Sequence, residues 1–245
     1  MLVSIHIPKT GGTTFNEILR DNFRNLLAVS GQQGVRAFLQ MSPAERSSYP
    51  VAAGHMPFGI HRYVRVPCRY VVFLRDPVDH AISSYYYVLR TPGNPQHERG
   101  SKMTLRQYVE SDLWPINDNL QTRLLCDVDW AEVLTFGAHG LGRPSPCTAE
   151  DLRQAKANLD GCEFVGLYDH FDECVRRCCD RVGLRYASIP RLNATGARPG
   201  VDAVDPAVRA IIRERRRFDV ELYEHARRRL ADPEGGRTVP ASTSS

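Results

Sequence analysis

Residues 2–14, Leu-Val-Ser-Ile-His-Ile-Pro-Lys-Thr-Gly-Gly-Thr-Thr, constrain the fold more than any other stretch of this chain. Residues 2–7 read as a short buried strand, and Pro8 ends it. Lys9, Thr10, Gly11, Gly12, Thr13 and Thr14 then form a loop that opens a helix near Phe15. A strand that runs through a glycine turn into a helix N-terminus is a place for an anion. The first-turn N–H groups have no intrahelical partner, the helix dipole adds positive charge, and glycine lets the backbone come close. Lys9 adds a full charge, and the three threonines add hydroxyl donors. The order differs from the G-x-x-x-x-G-K-[ST] loop: lysine precedes the glycine pair, so no magnesium ligand is implied. A plain Gly-Gly turn beside a solvated lysine has the same local sequence, so a second anion contact is needed to decide.

A chain of 245 residues, 42% of them hydrophobic, suffices for one good core. We expect a single domain over residues 1–232 and a small, polar, disordered tail over 233–245. A net charge of +4 is too small to announce nucleic-acid binding. No apolar run approaches the roughly 18 residues of a membrane span, and no secretory leader is visible, so a soluble, cytoplasmic protein is expected. The seven cysteines (68, 126, 147, 162, 174, 178, 179) are odd in number and scattered, which suits free thiols and not a zinc site.

Further along, short helices are expected near residues 35–40 and 43–48, the latter with Ser42 and Glu45 as a capping box. Residues 51–59 read as a short buried strand that ends in a turn carrying His55, with His61 and Arg62 close behind. In an open α/β sheet ligands bind at the C-terminal ends of strands, yet a histidine satisfied by turn backbone fits equally well. His6, inside the first strand, reads as a core residue. Residues 69–74 form the clearest strand, ending in Arg75-Asp76-Pro77; Asp76 can cap, and Pro77 can begin, a helix over 78–89. Arg75 suits a phosphate through its planar fork, or an ion pair with a nearby acid. Ser83 lies two turns into that helix, and of Tyr85, Tyr86 and Tyr87 one can face the core and another the cleft. Residues 91–111 read as a loop, 117–126 as a helix offering Gln121 and Thr122 to a substrate, and 137–146 as a second loop. Thr148 caps a helix to about 159; a strand at 163–167 and a helix at 169–182 follow. Apolar spacing over 206–230 predicts one long helix whose arginines make a mostly solvated face.

Two of these stretches, Ile-His-Ile-Pro-Lys-Thr-Gly-Gly-Thr-Thr-Phe at 5–15 and Phe-Leu-Arg-Asp-Pro-Val-Asp-His-Ala-Ile-Ser-Ser-Tyr at 73–85, resemble the cofactor signatures of PAPS-dependent sulfotransferases. The likeness is to the branch with heparan sulfate 2-O-sulfotransferase and its bacterial relatives. It continues through residues 54–63, 119–125, 163–168 and 192–199. The resemblance implies a three-layer, P-loop-like α/β fold with a mainly parallel central sheet flanked by helices. It implies that residues 9–14 hold the 5′-phosphosulfate of PAPS, with PAP as product, and that Arg75 and Ser83 bind the 3′-phosphate. By the same likeness His55 is the catalytic base, Lys9 stabilises the leaving phosphate, and Arg198 lies near the nucleotide. No metal, membrane or nucleic acid is implied. The acceptor is a hydroxyl of a carbohydrate or of a small metabolite. The competing readings are a non-catalytic binder of a nucleotide or anionic polysaccharide, and a kinase. Lys9, His55, Arg75 and Ser83 together favour an enzyme.

Overall fold

A computed structural model describes residues 1–111, 118–134, 146–189 and 198–231. Five strands, β1 (Leu2–Ile5), β2 (Leu26–Ala28), β3 (Val51–Gly54), β4 (Arg69–Leu74) and β5 (Phe164–Leu167), form one sheet in the order β2-β3-β1-β4-β5. Every pairing is parallel, with Ile5 opposite both Gly54 and Val72, and Leu74 opposite Leu167. The strands therefore end nearly level. Twelve helices accompany them among the described residues: α1 (Gly12–Asn22), α2 (Gly31–Gln40), α3 (Pro43–Ser47), α4 (Pro77–Arg90), α5 (His97–Gly100), α6 (Leu105–Glu110), α7 (Leu120–Leu125), α8 (Trp130–Val133), α9 (Ala149–Asp160), α10 (Phe171–Val182), α11 (Pro206–Arg215) and α12 (Arg217–Ala231).

Strand alternation sorts the helices into two layers. Leu2, Val51, Ala53, Val71 and Phe73 face one side, where Phe15, Ile18 and Leu19 of α1 meet Val175, Cys174, Cys178 and Cys179 of α10. Val3, Ile5, Ala52, Tyr70, Val72 and Leu74 face the other side, under α2, α7, α9 and α12. Both faces of a parallel sheet must be covered, and here they are. A third cluster joins α4, α6 and α11 beside the sheet. The α/β architecture expected from the sequence is the architecture of the protein. All seven cysteines are free, and six are buried as small apolar side chains. No helix among the described residues is long and apolar enough to cross a membrane.

Several elements differ from the sequence expectation. The first strand stops at Ile5, which takes His6 out of the core. β2 was not expected; three residues carry too little pattern to announce a strand. Residues 91–111 are not all loop: Thr104 and Gln107 form a capping box that starts α6, a local signal outweighed by the polar composition around it. The expected loop at 137–146, except Pro146, lies outside the described residues, as do residues 193–197 and the tail at 233–245.

The helix expected over 206–230 is two helices that break at Arg216. The cause lies about 100 residues away. Asn119, itself left-handed at φ 53°, donates through Nδ2 to the Arg215 carbonyl at 3.2 Å and accepts through Oδ1 from the N–H groups of Phe218 and Asp219 at 2.9 and 3.0 Å. One amide thus ends α11 and caps α12. Local sequence contains no trace of this. Arg216, expected on a solvated face, is 1% exposed.

Asn119→Ala strands those backbone groups without partners, so it is expected to lower stability by about 1–3 kcal/mol. Urea unfolding checks this, with the midpoint falling and the slope unchanged.

Candidate functional site

At the C-terminal edge of the sheet a residue follows each of four strands into one pocket. His6, Pro8 and Lys9 follow β1, His55 follows β3, Arg75 follows β4 and Tyr168 follows β5. The chain leaves β1 into α1, on one face of the sheet, and leaves β4 into α4, beside the sheet, and the pocket lies at these strand ends, where open α/β sheets bind ligands. Gly11, Gly12, Thr13, Ser83 and Tyr87 complete a pocket of about 240 Å³. That is below the roughly 300–1,000 Å³ of pockets that enclose drug-sized ligands. It suits the charged end of a larger molecule.

The α1 N-terminus forms one wall. Gly11 is its N-cap at φ 87°, and no acidic residue in the first turn offsets the dipole. A Cβ on Gly11 would collide with the Phe171 ring, and one on Gly12 with the His6 ring, so both positions demand glycine. Lys9 lies 4.2 Å from the centroid of the Tyr87 ring. Burial, then Arg75, Arg90 and Arg198, pull its pKa down to about 8. Among the described residues its ammonium has no carboxylate within ion-pair distance.

Arg75 is 3% exposed. Its Nε donates to Asp79 at 2.7 Å, its Nη1 to the Lys9 carbonyl at 2.7 Å, and its guanidinium stacks 4.0 Å from the Tyr168 ring centroid. Both sequence readings of Arg75 therefore hold in part: it lines the pocket and it has an acid. Asp79 also takes Arg198 Nη1 at 2.5 Å. Burial opposes ionisation of Asp79, but Arg198 and Arg75 outweigh it and hold its carboxyl below the usual range. Two arginines share this one carboxylate and Lys9 stands beside them without one, which leaves a net positive site. Ser83 is 1% exposed, and its hydroxyl has no hydrogen-bond partner among the described residues. A buried hydroxyl without a partner carries a desolvation cost that a ligand oxygen at the pocket wall would remove.

His55 sits against His6, with ring centroids 4.2 Å apart. Its Nδ1 is 2.7 Å from the His6 carbonyl oxygen. A carbonyl can only accept, so Nδ1 carries the hydrogen and Nε2 keeps the lone pair. Burial lowers the pKa of His55, with the bond to the His6 carbonyl opposing. His6 is driven down to about 3 by burial, then by His55 and Lys9. Both rings are neutral near pH 7.

Of the residues singled out from sequence, the pocket gathers Lys9, Gly11, Gly12, Thr13, His55, Arg75 and Ser83. Thr10 and Thr14 are buried and do not line it; the Thr10 hydroxyl is spent on the Ile7 carbonyl at 2.8 Å. Arg198 does not line the pocket and bonds Asp79. His61 turns to the Tyr70 hydroxyl, and Arg62 to the Val128 carbonyl. Gln121 and Thr122, expected to meet a substrate, are buried: Gln121 brackets the backbone N–H and C=O of Arg75, and Thr122 donates to Asp219. Sequence reasoning missed His6 and Tyr168, and for Tyr168 the available signal was its position just after a strand; of the three tyrosines expected to divide between core and cleft, Tyr85 is in the core and Tyr87 lines the pocket. Among the described residues no group of three His, Cys, Asp or Glu could hold a metal ion.

Over 271 aligned residues the chain is 24% identical to heparan-sulfate 6-O-sulfotransferase 1 of Homo sapiens, an alignment that takes in 93% of this chain and 64% of that protein. The chain is similar to that sulfotransferase. The relative carries the 6-O name, whereas the motifs resemble the 2-O branch. The chain spans under two thirds of the curated protein's length. No family model matches it. A sulfotransferase from Alicyclobacillus acidocaldarius aligns at 16% identity and a TM-score of 0.48, over 91% of this chain and 93% of that one. Mouse sulfotransferase SULT7A1 complexed with PAP aligns at 15% and 0.40, over 87% and 63%.

Sulfate keeps its charge across the titration of Lys9. Its binding raises the Lys9 pKa above the free value of about 8, so binding takes up a proton above pH 8 and affinity falls as pH rises. Thermal melts are expected to show that sulfate stabilises the native chain more than Lys9→Met at pH 7, with the difference shrinking between pH 8 and 9.5.

Proposed function

We propose that this chain is a PAPS-dependent sulfotransferase acting on a hydroxyl, either of a carbohydrate or of a small hydroxylated metabolite. The observation that carries the reading is a histidine with its tautomer already set, sharing one small pocket with an unpaired lysine, a buried arginine and a partnerless serine hydroxyl. The human protein, whose name attaches it to heparan sulfate, supports the carbohydrate option.

His55 Nε2 takes the acceptor's proton while the acceptor oxygen attacks sulfur and the bond from sulfur to the 5′-phosphate oxygen breaks. Lys9 and the first-turn N–H groups of α1 stabilise the negative charge that gathers on the departing phosphate. Arg75 and Ser83 bind a second anionic group, the 3′-phosphate, on the α4 side. Three cations with one carboxylate among them, Asp79 bonded to Arg75 and Arg198, suit a ligand with two anionic ends better than a neutral one. The chemistry assigns no step to a metal, so turnover is expected to persist in EDTA.

The test is transfer of labelled sulfate from PAPS to a panel of hydroxyl acceptors. His55→Ala is expected to lower kcat by about a hundred- to ten-thousandfold while PAP affinity changes less than about twofold. Equal loss of both would remove His55 from the role of base. Binding of PAP with no transfer to any acceptor would favour a non-catalytic binder. Ser83→Ala tests the second anion contact separately. Because its hydroxyl has no partner among the described residues, stability is expected to hold in the melt, while PAP binding weakens about tenfold in titration.

A further inference from the structure

Lys9 stands at φ 67°, in the left-handed region that residues with a Cβ avoid for steric reasons. Such a conformation persists only where its surroundings hold it. Two donors hold the peptide groups around Lys9. Arg75 Nη1 takes the Lys9 carbonyl at 2.7 Å, and His80 Nε2 takes the Pro8 carbonyl at 2.8 Å. Arg75 already has a place in the site. His80 does not, although it is 0% exposed and lies on α4 directly behind the loop.

The His80 tautomer is set from the other side. Arg216 Nη1 lies 3.0 Å from His80 Nδ1 and 3.3 Å from the Pro77 carbonyl. A guanidinium donates only, so Nδ1 accepts and the ring hydrogen sits on Nε2, where the Pro8 carbonyl needs it. Burial first, and then Arg216, keep the imidazole well below its ordinary pKa, with the Pro8 carbonyl opposing. The ring therefore remains one donor and one acceptor. Arg216 owes its place to the helix break made by Asn119, and Asp219, one turn on, is the buried acid near it.

We propose that His80, with its tautomer set by Arg216, is a positioning residue that holds Lys9 in its left-handed turn and so aims the ammonium into the pocket. The chain of contact runs from the α11–α12 break through Arg216 and His80 to the Pro8 carbonyl. It deepens the proposed function and rests on the role given there to Lys9. A ring that merely filled space would need neither nitrogen.

The test compares His80→Leu, which keeps bulk and removes both nitrogens, with His80→Gln, whose amide can donate to Pro8 and accept from Arg216. Hydrogen exchange of the peptide over residues 6–15 is read beside that over 171–182, and PAPS turnover is measured on the same proteins. For His80→Leu, exchange over 6–15 is expected to rise about tenfold with 171–182 unchanged. Its kcat is expected to fall about a hundredfold while KM for PAPS changes less than about threefold. His80→Gln is expected to recover most of both. Wild-type exchange over 6–15 in a folded His80→Leu protein overturns the proposal. So does a rise spread evenly over the chain, or a Gln variant no better than Leu. If His80→Leu does not fold, His80→Asn replaces it, since its shorter amide leaves the Pro8 carbonyl out of reach. If wild-type protein turns over no PAPS with any acceptor, the sulfotransferase reading fails, and the exchange of 6–15 decides this inference alone.

Discussion

Three consecutive carbonyls in the loop after β1 are each held by a donor. Thr10 takes that of Ile7, His80 that of Pro8 and Arg75 that of Lys9. A free carbonyl oxygen beside the pocket would repel an anion and would carry its own cost if buried. With these three satisfied, what the loop offers the pocket is the Lys9 side chain and the start of α1. The proposed preference of the site for negative charge rests on this arrangement as much as on lysine itself.

The donors in turn depend on parts of the chain far away in sequence. Gln121 brackets the backbone of Arg75, and Asp219 accepts from the Gln121 and Thr122 N–H groups. Asp219 and Arg216 flank the break that Asn119 creates, so α7, α11 and α12 together stand behind α4 and the first loop. Burial raises the Asp219 pKa, while Thr122 and Arg216 pull it back. A buried network of this kind is costly unless every member is partnered. Here it gives a site made of strand-end loops the rigid support that positioning demands.

The sheet was legible because its strands are short apolar runs that end in distinctive residues. Asp76 and Pro77 announced α4, and its cap on the N–H groups of Val78 and Asp79 is where the sequence suggested. The gathering of Lys9, His55 and Arg75 was readable from one rule, that ligand groups follow strand ends. The role of Gln121 was not readable, because a polar side chain in a helix looks the same whether it meets solvent or clamps an arginine. Asn119 and Arg216 were hidden for the same reason: a cap supplied by a residue 100 positions away leaves no local pattern. His6 was assigned to the core because two residues separate a strand that ends at Ile7 from one that ends at Ile5. Such boundaries rest on pairing partners that a single sequence does not display.

The central claim is that one pocket binds two anionic groups of one nucleotide. Isothermal titration with PAP, in EDTA, beside ADP and ATP, tests it most directly, because PAP carries the 3′-phosphate that ADP and ATP lack. The account predicts tight binding of PAP and weak binding of both competitors. Binding of ATP only after magnesium is restored, with none of PAP, would contradict it and would withdraw the roles given to Arg75 and Ser83.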